Sequence, residues 1–232
     1  MNQHADVRHR FLQHGHTIES QQRDFVTWHQ GRLPYVIWAI DVNTPAICVQ
    51  VLAAQQHLAG LLLEPYLRQP HITLSVCGFP AHTVQLADDF SYTMLDAQIS
   101  SLRQRHLKPF EIRVDALASF SLAPFFHVAD ANDNVVALHG CLQLASGNHV
   151  SSHSATPYVP HITVGLYAGN WCAQAVSQRL DSFVNVSELS LRVSKISLMC
   201  YAPAVIGGTL QTLADYDLES GEMTWHKALS FS

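Results

Sequence analysis

The chain lacks the marks of several common classes of protein. It has no CxxC pair, and its five cysteines, Cys48, Cys77, Cys141, Cys172 and Cys200, are odd in number and widely spaced. Neither a disulfide framework nor a zinc knuckle is expected. Most of these thiols sit in apolar contexts and read as buried. No apolar run approaches the ~20 residues of a membrane span, and the segment MNQHADVRHRFLQHGH lacks the apolar stretch of a signal peptide. The expected location is the cytoplasm, with no membrane partner. Charged residues are only 13% of the 232, the formal net charge is −5, and no run of Lys and Arg forms a basic stripe. Binding of long nucleic acid, which needs many phosphate contacts, is not expected. A small anionic ligand held by a few local donors is compatible with the same charge. With 48% hydrophobic residues the chain is that of a compact globular protein.

What the chain does contain is one tetrapeptide written twice. Pro-His-Ile-Thr occurs at Pro70-His71-Ile72-Thr73 and again, 90 residues on, at Pro160-His161-Ile162-Thr163; an apolar residue follows each, Leu74 or Val164. Chance repeats a given tetrapeptide roughly once in several hundred chains of this kind. In a strand, residues i and i+2 point to the same side. Each copy therefore presents a His and a Thr together, with Ile and Leu or Val buried behind them. Two such strands facing one another bring two imidazoles and two hydroxyls to one site.

The rest of the chain mixes strands and helices. Residues 1–19 are polar and His-rich and read as a poorly ordered tail in which His4, His9, His14 and His16 have no ordered element to hold them. Residues 20–30 fit a short helix, so residues 1–32 are expected to be an N-terminal extension to one domain spanning 33–232. Tyr35 to Asp41 is rich in β-branched and aromatic residues and reads as a strand. Pro45 opens a helical pattern with Ile47, Val51, Ala54, Leu58, Leu61 and Leu62 on one face, ended by Pro65. The first His-Thr strand covers about 71–79. Further strands are expected near 90–91 and at 110–117, 124–129, 161–167, 189–201 and 209–218, with helices at 94–106, 135–144 and 171–180. Residues 148–156 read as a mobile loop carrying His149 and His153. Strict βαβ alternation is absent, so the expected class is α+β with antiparallel sheets.

A phosphodiester needs a proton taken from the attacking oxygen and one given to the leaving oxygen. Two imidazoles, with unperturbed pKa values near 6.5, suit both roles near neutral pH. Two Thr hydroxyls can bond the non-bridging oxygens where charge builds up. The candidate catalytic residues are therefore His71, Thr73, His161 and Thr163. The chemistry demands no metal or cofactor, and none is expected; a metal-dependent hydrolase ranks last because no spacing such as HExxH is present.

The sequences His71-Ile72-Thr73-Leu74 and His161-Ile162-Thr163-Val164 resemble the defining pattern of the 2H (two-histidine) phosphoesterase superfamily, particularly its RNA-ligase-like cyclic phosphodiesterases. The likeness spans roughly residues 33–218 and leaves residues 1–32 outside it. It implies a bilobal α+β fold, two antiparallel sheets around a central cleft with helices outside and one motif in each lobe. It also implies metal-independent hydrolysis of 2′,3′-cyclic phosphates or 2′–5′ linkages. The expected partner is a nucleotide or short RNA end bearing such a group. A binding module that holds the same ligand without turnover is the alternative.

Continued alternation would put Ser75 on the face of His71 and Thr73, and Tyr167 on that of His161 and Thr163. Tyr35 or Trp38 can offer an aromatic face to a base, and Arg68, three residues before His71, can reach a phosphate. These five are the candidate substrate-binding residues.

Overall fold

The computed structural model describes residues 3–145 and 157–231. The expected loop at 148–156, with His149 and His153, lies outside the described residues. Two sheets and their helices form the fold. In chain order the elements are α1 (Gln3–His14), α2 (Gln22–His29), β1 (Tyr35–Asp41), α3 (Pro45–His57), β2 (His71–Pro80), β3 (Asp89–Phe90), α4 (Tyr92–Arg105), β4 (Phe110–Ser119) and β5 (Pro124–Ala129). There follow α5 (Asn134–Ala145), β6 (His161–Thr163), α6 (Ala173–Asp181), β7 (Leu189–Val193), β8 (Lys195–Tyr201), β9 (Gln211–Asp217) and β10 (Met223–Trp225).

One sheet runs β10-β9-β8-β1-β2-β3 and the other β6-β5-β4-β7. Every pairing is antiparallel except the short parallel contact of β2 with β3. The α+β class and the two-lobed, antiparallel-rich architecture are those expected. A continuous apolar core joins the lobes, from Val36, Trp38 and Ile40 on β1 to Phe126 and Val128 on β5.

Local chemistry sets several boundaries. Thr44 caps α3, its hydroxyl accepting from the Ile47 N–H, and Pro45 occupies the first turn where no donor is needed. Ile47, Val51, Ala54, Leu58 and Leu62 are buried as the periodicity requires. Ser91 caps α4 in the same way through the Met94 N–H. Gly78, at φ +117°, has no room for a side chain: a Cβ there would lie 2.1 Å from the Asp88 carbonyl oxygen.

The polar N-terminal segment is not a tail. Residues 3–14 form a helix because Val7 and Phe11, four apart, share a face. Val7 packs with Ala118, Phe125 and Val159, and Phe11 enters the main core. Arg8 pairs with Asp181 of α6. The segment after α1 is strapped down by bonds from the Thr17 N–H to Trp171 O (2.9 Å) and from the Ala173 N–H to Gly15 O (2.8 Å). A few apolar residues diluted among histidines hid this helix.

The alternating stretch 189–201 is also two strands rather than one. β7 pairs with β4 in one sheet and β8 with β1 and β9 in the other, so the chain crosses between lobes at Ser194. Alternation continues through the crossing, and the sequence carries no mark of it.

Candidate active site

β2 carries the first motif. In register with β1, His71 lies opposite Asp41, Ile72 opposite Ile40 and Thr73 opposite Ala39. Ile72 and Ile40 are in the core. His71 and Thr73 therefore project on the opposite face, with Ala39, Ile37 and Met199. The His71 Nδ1–H donates to Gln69 O at 2.8 Å. A carbonyl can only accept, so Nδ1 holds the proton and Nε2 is the nitrogen left for proton exchange.

β6 carries the second motif at the edge of its sheet. His161 lies opposite His127, and Thr163 opposite Phe125, on β5. The His161 Nδ1–H donates to Val159 O at 2.7 Å, the same tautomer by the same device. Its ring lies edge-to-face against the stacked pair Phe120 and Phe125, with centroid distances of 5.1 and 5.2 Å. β2 and β6 pack against each other across the cleft.

Burial dominates the electrostatics. It pushes His71 down to about 4, and the positive charges of Arg68 and of a protonated His161 push the same way. His161 is also lowered, first by burial and then by His127. The influence of His161 on His71 places the two imidazoles in one local field. The contacts between β2 and β6 bring the strands that carry His71, Thr73, His161 and Thr163 together. Among the described residues, no three His, Cys, Asp or Glu side chains converge as a metal-ligand set.

The candidate binding residues divide. Arg68 lies near His71, on the side of the sheet that holds Tyr201: its guanidinium lies 3.9 Å over the Tyr201 ring and its Nε donates to Gly208 O at 3.0 Å. Tyr35 shares that face through its pairing with Tyr201 and packs edge-on against Trp28, Phe79 and Tyr201. Trp38 does not offer a face to a base. It is fully buried, and its indole N–H donates to Gln98 Oε1 at 2.8 Å.

Tyr167 is likewise fully buried, with its hydroxyl 2.6 Å from Ser119 Oγ. Strand β6 ends at Thr163, so the two-residue alternation never reaches 167. Ser75 departs for a related reason. Thr73 pairs with Ala39 but Ser75 with Trp38, so Leu74 is an extra residue, a β-bulge. The bulge resets the alternation and turns Ser75 onto the Trp38 side, where its buried hydroxyl has no partner among the described residues. Sequence reasoning missed Tyr201, His127, Phe120 and Phe125. His127 was findable from the alternation of Phe125 and His127, once β5 was known to lie beside β6.

A two-lobed α+β fold with one His-x-Thr strand per lobe is the architecture of a two-histidine phosphoesterase. The family profile described as the 2′-5′ RNA ligase superfamily matches residues 45–203, which hold both motifs, and the chain belongs to that superfamily. Among solved structures it is similar to Escherichia coli LigT complexed with 3′-AMP, at 16% identity and a TM-score of 0.52, covering 81% of this chain and 98% of that one. The apo form of LigT aligns at 15% identity and a TM-score of 0.50, with the same coverage. The protein TT0787 of Thermus thermophilus aligns at 13% identity and a TM-score of 0.50, covering 80% of this chain and 98% of that one. These likenesses concern the fold. No curated protein sequence matches the chain significantly.

Proposed function

We propose that the protein is a metal-independent phosphodiesterase that opens 2′,3′-cyclic phosphates or cleaves 2′–5′ linkages in nucleotides or short RNA ends. The observation that carries this reading is the pair of imidazoles on facing strands, each with Nδ1–H bonded to a backbone carbonyl and Nε2 left for chemistry. In the reaction, one neutral Nε2 takes a proton from water as the water oxygen bonds to phosphorus. The other imidazole, protonated, gives its proton to the ribose oxygen as the phosphorus–oxygen bond breaks. One water is consumed, and the two histidines end with their protonation states exchanged.

The Thr73 and Thr163 hydroxyls would bond the non-bridging oxygens, and Arg68 would meet the phosphate charge. A bound phosphodiester anion favours the protonated imidazole, which counters the depression that burial imposes. The acidic chain suits a mononucleotide or short end rather than a long polyanion.

The second reading is a binding module in the same cleft. The depressed pKa of His71 favours it, because the empty site then holds few protonated imidazoles at neutral pH. The test is turnover of a panel of 2′,3′-cyclic nucleotides and of 2′–5′ and 3′–5′ dinucleotides, with and without chelator. Product formation insensitive to chelator supports hydrolysis. Saturable binding of 3′-AMP with no turnover of any member would leave the binding module.

A further inference from the structure

The edge of β2 that faces the second lobe is capped in an unusual way. On its other side β2 pairs with β1, and among the described residues its outer edge meets a strand only at Phe79 and Pro80, through β3. Along the motif that edge has no strand partner among the described residues, yet two consecutive carbonyls there are satisfied. The Tyr158 hydroxyl donates to Thr73 O at 2.8 Å, and the His139 Nδ1–H to Leu74 O at 2.7 Å. These are the carbonyls at the bulge, where an extra residue disturbs the ladder. The two donors are themselves stacked, with ring centroids 3.9 Å apart and planes within 7°.

Both donors come from fixed frames. His139 is on α5, whose Val135, Leu138 and Leu142 are in the core. Tyr158 stands three residues before His161. The next carbonyl, Val159 O, accepts from His161 Nδ1, and Pro160 O accepts from the Val128 N–H at 3.0 Å. Tyr158 thus links the backbone of Thr73 to the segment that sets the ring of His161. Its phenol is raised by burial, so it remains a donor across the ordinary pH range.

We propose that Tyr158 and His139 form a positioning clamp, which fixes the first His/Thr strand at a set distance and angle from the second. The clamp rests on the phosphodiesterase reading only for what it positions. Neither residue is a catalytic group: both act through the backbone at Thr73 and Leu74, and misplacement of reacting groups by about 1 Å is enough to cost a large factor in rate.

The test uses the full chain. Tyr158→Phe keeps the ring and its stack and deletes only the hydroxyl. With a 2′,3′-cyclic nucleotide that the wild type hydrolyses, kcat should fall about tenfold while KM stays within about twofold. His139→Phe keeps a flat ring without the donor and should act in the same direction. The double variant should lose no more than about twofold beyond the worse single one, because the two donors serve one element.

An independent readout is the ring resonances of His71 and His161, which should both shift in folded Tyr158→Phe. Wild-type kcat together with unmoved resonances in Tyr158→Phe overturns the clamp. Should the wild type hydrolyse nothing on the panel, the phosphodiesterase reading fails. The resonances then decide the clamp alone: shifted rings support it and unmoved rings overturn it.

Discussion

The two Pro-His-Ile-Thr segments are identical in sequence, but the strands that hold them are not alike. The first begins a ten-residue strand paired with β1 from His71 to Gly78 and interrupted by a bulge directly after the motif. The second is a three-residue strand at a sheet edge. His71 sits in the field of Arg68, whereas His161 lies against the stacked pair Phe120 and Phe125 with His127 beside it. What the copies share is the minimum a His/Thr pair needs: two same-side positions and a carbonyl two residues upstream to hold Nδ1–H. Everything beyond that is free to differ, so equal motifs can serve unequal roles.

The largest effect expected is the loss of either histidine. His71→Ala and His161→Ala should each lower turnover about 10²–10⁴-fold in a protein that stays folded. Retained activity in one of them would break the pairing of the motifs.

Next comes a pH effect whose larger part lies in the first lobe. The folded pKa of His71 is about 4, against about 6.5 in an unfolded chain. Between those values the unfolded state binds more protons, so stability is full above about pH 6.5 and falls as the pH drops through about 4. The amount is on the order of 3 kcal/mol. Urea unfolding of the wild type at pH 7 and pH 4.5, set against His71→Gln, should show a steeper loss in the wild type. Equal losses would mean that His71 is not desolvated as the structure has it.

Thr73→Val and Thr163→Val should each cost about 10²-fold in kcat with a smaller change in KM. Unequal losses would sharpen the comparison by showing which lobe faces the developing charge. The smallest effect is expected from Tyr167→Phe. It removes the bond to Ser119 and should lower unfolding free energy by about 1 kcal/mol without altering KM.

The contrast between the lobes also explains what could be read from the sequence. The motifs, the class and most elements were legible: β1 occupies the residues its β-branched and aromatic content indicates, and α3 begins at its capping threonine and proline. The reading failed where alternation was carried past a break that has no sequence mark. The bulge at Leu74 moved Ser75, the early end of β6 moved Tyr167, and the crossing at Ser194 divided one apparent strand into two sheets. Trp38 failed differently. It lies in the apolar core, where its indole N–H is satisfied by Gln98, 60 residues away. Arg68 and Tyr35 both pack on Tyr201, a contact that strand position alone does not disclose.

The capped edge of β2 has a consequence for how copies of this protein behave toward one another. An unpaired strand edge offers bare carbonyls and N–H groups to any extended chain that meets it, and so seeds edge-to-edge aggregation. A bulge disrupts such a template, and two side-chain donors, from Tyr158 and His139, already occupy its carbonyls. The two side chains that hold the carbonyls beside the first motif thereby also keep this edge from recruiting a strand of a neighbouring molecule.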